Sequence, residues 1–133
     1  MRFTKKEANF IDAARVARLA TVDVEGMPCV VPVCPLLSGG RIYLGTEAAA
    51  KKVRNIAARP LVGIVFDDYL EAWDNLRGIL VQGRARLAAS RDFPGLRKKF
   101  YAKYHLYESV APLDPSDSAI IEIEPERKLA WGF

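Results

Sequence analysis

Apolar and polar positions alternate in short runs along most of the chain, the mark of half-buried strands rather than long helices. Between residues 16 and 24, Leu19, Thr21 and Asp23 oppose Ala20, Val22 and Val24, which predicts a strand turned by Glu25-Gly26. Cys29 to Leu37 is apolar on both faces and predicts a second strand. Pro32 and Pro35 take two backbone donors out of it, so it should be an edge, a bulged strand or a surface that another subunit covers. Ser38-Gly39-Gly40 turns the chain into a third strand, Arg41 to Gly45. Leu61 to Asp67 reads as a buried strand. Arg77 to Ala88 reads as a long one with Ile79, Val81, Ala85 and Leu87 on one face and a bulge or close backbone approach at Gly83. In the last predicted strand, Ala119 to Glu124, Ile121 and Ile123 oppose Glu122 and Glu124.

Three segments follow a helical period instead. Lys5 to Ala14 starts at Thr4, with Glu7 placed for a capping box. Ala48 to Ala58 ends before Pro60. A helix capped by Ser90 runs to about Tyr104, with Phe93, Leu96, Phe100 and Tyr104 as its apolar stripe. The acidic, aromatic stretch Tyr69 to Leu76 predicts a loop. The order is helix, three strands, helix, two strands, helix, strand. It predicts a mainly β fold of the α+β kind: a barrel of about six antiparallel strands with peripheral helices, as one domain over 1–133. It lacks the regular alternation of a βαβ nucleotide fold.

Composition narrows the function classes. The formal charge is +4, from 20 Lys and Arg against 16 Asp and Glu. That mild excess suits an anionic ligand but gives no clustered stripe for nucleic acid, and the run Arg97 to Lys99 reads as a solvated helix face. No stretch approaches the apolar length of a membrane span, and the first fourteen residues carry no apolar signal region, which predicts a cytoplasmic protein. Cys29 and Cys34 lie five apart in one strand and point to opposite faces, which argues against a disulfide; too few other Cys and His are present for zinc.

No catalytic set stands out. His105 reads as a surface or packing residue, and Asp67-Asp68 as a polar strand end. The exception is Gly45-Thr46-Glu47-Ala48-Ala49-Ala50-Lys51-Lys52, where a strand passes into a helix start. Unpaired N–H groups and a partial positive charge stabilise an anion there; Thr46 adds a hydroxyl and Lys51 or Lys52 a full charge. This is the equipment for a phosphate monoester, although many helices carry two lysines near their start.

Taken in order, several segments resemble the pyridoxamine 5′-phosphate oxidase-like, FMN-binding split-barrel superfamily. They are Arg18-Leu-Ala-Thr-Val-Asp23, Glu25-Gly26-Met-Pro28, Val30-Val-Pro-Val33, Arg41-Ile-Tyr-Leu-Gly-Thr46, Lys51-Lys-Val-Arg-Asn-Ile56, Arg59-Pro60 and Gln82-Gly-Arg-Ala-Arg-Leu87. The stretch from Asp67-Asp-Tyr to Trp73 resembles a branch that uses the deazaflavin F420. The similarity spans roughly residues 10 to 131.

The resemblance implies a split β-barrel homodimer with FMN, or alternatively F420, bound between subunits. It puts Thr46 on a phosphate or ribityl position and Lys51 and Lys52 on the basic pair that holds the phosphate. The backbone of Val31, Pro32 and Val33 would lie along the ring edge, and Trp131 near a position that approaches the ring. The implied activity is that of an oxidoreductase with a small-molecule redox substrate; the alternative is a non-catalytic binding barrel. Val31 and Leu36 stand where the oxidase proper has Arg and Lys, and Gly78 where it has a flavin-contacting Gln. Oxidation of pyridoxamine phosphate is therefore not expected.

Overall fold

The computed structural model describes residues 1–133. Its helices are α1 (Lys5–Ala13), α2 (Lys51–Ala58), α3 (Phe93–Lys103) and α4 (Tyr107–Val110). Its strands are β1 (Ala17–Val22), β2 (Pro28–Val33), β3 (Pro35–Ser38), β4 (Arg41–Glu47), β5 (Leu61–Asp68), β6 (Arg77–Leu87) and β7 (Ser118–Trp131). All pairings are antiparallel, in the order β2-β1-β5-β6-β7-β4-β3.

The two edges of that sheet, β2 and β3, are consecutive in the chain and separated only by Cys34. The sheet therefore curls until both edges meet in one bent run. Its first half pairs with β1 and its second half with β4. This is a six-strand barrel split at Cys34. Pro32 and Pro35 flank the bend, which explains how a two-proline strand is accommodated: each half needs hydrogen bonds on one side only.

The inner face is one apolar core. Ile11, Leu19, Ile42, Leu44, Ile64, Phe66, Ile79, Val81, Ile121 and Ile123 are fully enclosed. Two helices close the ends. From α1 comes Ile11, and the capping box at Thr4 and Glu7 is formed as expected. The other is α2, which contributes Ile56 and anchors to the opposite end of β1 through a buried hydrogen bond from Asn55 Nδ2 to Thr21 Oγ1 (3.0 Å). A second apolar cluster lies outside the barrel, where Leu96 and Phe100 of α3, with Tyr104 just past its end, cover Leu36 and Ile120.

Several boundaries differ from the expected ones. Most of all, β7 runs fourteen residues, to Trp131, through Pro125 and the charges 126–128. The proline is tolerated because the β6–β7 register shifts at Gln82/Gly83, and Gly83 faces Pro125 there. A Cβ on Gly83 would stand 2.0 Å from the Glu124 carbonyl oxygen, so the bulge expected at this glycine is also a close backbone approach. In the second helix the start falls at Lys51 rather than Ala48, because Ala48 to Ala50 form a turn. Ser90 opens a short 3-10 turn, and α3 begins at Phe93. Leu87 keeps the face of Ala85, opposite Ile121, but lies exposed at the end of β6. Both cysteines are free, Cys29 opposite Thr21 and Cys34 against the α3 cluster. No helix is long and apolar enough to cross a membrane.

Candidate functional site

Strand alternation decides which side chains face outward on the half of the sheet that α3 leaves bare. Since Leu19, Ile64, Ile79 and Val81 point inward, their neighbours point out, and the register arranges these in rows. One row is Val30, Ala20, Gly63, Gln82 and Arg127. The row above it is Pro32, Arg18, Val65, Leu80 and Leu129. Asp67, Gly78 and Trp131 cap this face at the β5–β6 hairpin end. Leu61 and Arg84 pair at the other end, with Val22 and Pro28 beside them.

Paired Ala20 and Gly63 lower the middle of the face between Val30 and Leu80. The result is a shallow groove of about 800 Å³, lined among others by Arg18, Val65, Leu80 and Arg84. Val30 is 64% exposed and Leu129 64%. Apolar side chains left contiguous and bare in this way mark a contact surface.

Charge surrounds the groove. Arg18 lies 3.6 Å from Asp67 and Arg84 3.3 Å from Glu126. These pairs are exposed, so a ligand can compete for either guanidinium at little cost. Arg127 has no carboxylate partner.

The residues expected to hold a phosphate lie at the Leu61/Arg84 end or beyond it. Lys51 and Lys52 open α2, whose cap residue Ala50 gives no side-chain hydrogen bond and whose first turn carries no acid, so its positive end is unneutralised. Lys51 Nζ sits 3.6 Å from Asp23 Oδ2 in the β1–β2 turn, whereas Lys52 is half-buried with no carboxylate partner. The Asp23 carboxyl is held below its usual range by the backbone N–H of Met27 first, then by that of Glu25 and by Lys51. Thr46 lies at the end of β4, paired with Ala119 and separated from Lys51 by the 48–50 turn.

Val31 and Val33 pair with Leu19 and Ala17. Val33 is buried, whereas the Val31 side chain stays exposed at the sheet edge, so Val31 can meet a ligand with side chain and backbone and Val33 with backbone alone. Pro32 points outward. The outer edge of β2 has no strand partner. Trp131 packs over Gly78, where a Cβ would stand 2.0 Å from the indole; a Gln at Gly78 would displace it. The structure thus brings Pro32 and Trp131 to the bare face. It sets Lys51 and Lys52 at its far end and leaves Thr46 outside the groove lining.

Residue-type reasoning missed Arg18, Ala20, Gly63, Arg84 and Arg127. Their signal was periodic: small or basic residues at outward positions where a two-sided strand would carry Val or Ile.

A family model described as pyridoxamine 5′-phosphate oxidase matches residues 3–132. No curated protein matches the chain. Among solved structures, an F420 reductase superposes with a TM-score of 0.77 at 23% identity, over 96% of this chain and 98% of its own. An FAD-binding protein from Mesorhizobium loti gives 0.76 at 20% identity, over 96% and 94%. A heme storage protein from Vibrio cholerae gives 0.80 at 17% identity, over 100% and 97%. At these identities the likeness speaks for the split-barrel fold, and the match along nearly the whole chain places the protein in the pyridoxamine 5′-phosphate oxidase family.

Proposed function

We propose that the chain binds a flavin-type cofactor, FMN or F420, along the bare sheet face, and that it serves as an oxidoreductase for a small-molecule substrate. The observation that carries this reading is the solvent-facing apolar trough over Ala20 and Gly63, flanked by guanidinium groups. A planar ring needs such a flat, side-chain-poor floor, and a phosphate needs the cations around it. When bound, the cofactor supplies the hydride or electron transfer; the chain supplies placement, charge and exclusion of water.

The phosphate belongs at the start of α2, held by Lys51 and Lys52 with Thr46 behind them. Asp23, beside Lys51, stands three residues along the chain from Ala20, about 10 Å at the rise of a strand, a span that a sugar-alcohol chain bridges. The free backbone edge at Val31, Pro32 and Val33 offers hydrogen bonds to the ring, and Trp131 closes the hairpin end of the trough. A haem fits less well: the one histidine, His105, follows α3 and lies off this face. Two free thiols suit a reducing, cytoplasmic setting. The same face leaves room for a second copy of the chain to cover it.

Titration of the purified protein with FMN and with F420, followed by visible absorption and fluorescence, tests the reading. Stoichiometric binding of one of them is expected. Ala20→Arg should fill the trough and weaken that binding by roughly tenfold or more while leaving the fold intact. Failure of both compounds to bind would remove the oxidoreductase and leave the non-catalytic alternative.

A further inference from the structure

Helix α2 is tied to β1 and its turn along one line. Lys51, Asn55 and Arg59 stand four residues apart, so they share one side of the helix and its C-terminal cap. All three reach the stretch 21–24. Lys51 Nζ lies 3.6 Å from Asp23 Oδ2, Asn55 Nδ2 donates to Thr21 Oγ1 at 3.0 Å, and Arg59 Nη2 donates to the Val24 carbonyl at 3.1 Å. The first and last of these tethers lie in water and hold little. The middle one does not: Asn55 is 4% exposed and Thr21 3%.

Packing alone gives no reason for an amide there. Next to it Ile56 enters the barrel core, with Val53 against the same cluster, and a buried amide is unfavourable unless it is bonded. What the amide adds is direction. Apolar contacts let an eight-residue helix turn or slide over a sheet, whereas one buried donor–acceptor pair admits a single setting. That setting joins two parts of the molecule. Thr21 is the strand neighbour of Ala20, whose pairing with Gly63 makes the groove floor. Asn55 lies one turn past Lys51 and Lys52, which open α2.

We propose that Asn55 is a positioning residue: acting through Thr21, it fixes the open start of α2 at one distance from the groove floor. The site then favours a ligand whose phosphate lies at that reach from its ring. This role rests on the cofactor reading above. Asn55 touches neither ring nor phosphate. It makes the two half-sites act on one molecule, and two linked contacts strengthen binding only where geometry lets both engage together.

Dissociation constants for FMN and for riboflavin, which lacks only the phosphate, test this; if F420 is the ligand, it and its phosphate-free deazaflavin core take their place. Wild type should prefer the phosphate-bearing compound. Asn55→Leu should lower affinity for that compound by about tenfold or more and leave the phosphate-free one bound as before. Thr21→Val should do the same, and Thr21→Ser, which keeps the hydroxyl, should retain the preference. Asn55→Leu with Thr21→Val removes both partners of the bond, so the unfolding midpoint should return toward wild type while the preference stays lost. A merely structural pair would recover both together. Equal losses for the two compounds, an undiminished preference in Asn55→Leu, or a preference that returns with stability in the double variant would overturn the inference and leave the cofactor reading standing. A wild type that binds neither FMN nor F420 would overturn both.

Discussion

The outer surface of the barrel has two halves, and β7 runs through both. In its first half Ile120 is buried under α3, with Leu36, Leu96, Phe100 and Tyr104 packed around it. Beyond the bulge, Leu129 of the same strand lies bare. Both halves obey the same strand alternation, so composition alone does not separate them. What differs is the cover. The α3 half is finished within the chain and serves stability. The other half lacks a cover, and its small and basic residues suit it to contact with something outside the chain.

The sharpest way to break that contrast is to truncate one large apolar residue on each half. Phe100→Ala should cost about 3–5 kcal/mol in urea unfolding, since the ring is fully enclosed. Leu129→Ala should change monomer stability by less than about 0.5 kcal/mol, having little enclosure to lose. Similar losses at both positions would mean that the two halves are not different in kind.

A smaller effect sharpens the contrast at the border between the halves. Glu122 is buried on the outer side of β7, between Arg86 Nε (2.6 Å), Tyr43 Oη (3.1 Å) and Arg41 Nε (3.5 Å). Burial pushes its carboxyl up, but the hydrogen bonds from Arg86 and Tyr43 and the two guanidinium charges outweigh this, and the net shift is downward. Burial and the same carboxylate raise the Tyr43 hydroxyl. Because its folded pKa is depressed, Glu122 stabilises the fold above its ordinary value of 4.5, and that contribution is lost as the pH falls through the lowered value. Glu122→Gln should therefore cost about 1–3 kcal/mol near neutrality, by unfolding, and the loss should shrink in acid. A penalty independent of pH would show that packing, not charge, sets the cost.

The barrel was legible because inward positions such as Leu19, Ile64, Ile79 and Ile121 keep a strict two-residue period. The capping box and the helix stripe under Phe100 were local signals of the same kind. The length of β7 was hidden: Pro125 reads as a stop unless Gly83, forty-two residues earlier, is known to face it. The groove was hidden for a related reason. Ala20 and Gly63 are unremarkable residues in separate strands, and only the β1–β5 register makes them one floor. Lysines opening a helix are visible in one dimension; a site made from outward rows of several strands is not.

The smallest predicted effect bears on that difference. Lys51 is exposed, and its contact with Asp23 is long, so Lys51→Ala should alter folding stability by no more than about 0.5 kcal/mol. Its influence on an anionic ligand is a separate quantity, because the open start of α2 and Lys52 remain. Lys51→Ala with Lys52→Ala should weaken FMN or F420 binding by roughly tenfold or more while the unfolding midpoint barely moves. If affinity is unchanged, the phosphate sits elsewhere, and Arg18, Arg84 and Arg127 become its holders. The linear motif would then have pointed to the wrong end of the right face, and the row of arginines read from the register would carry the site alone.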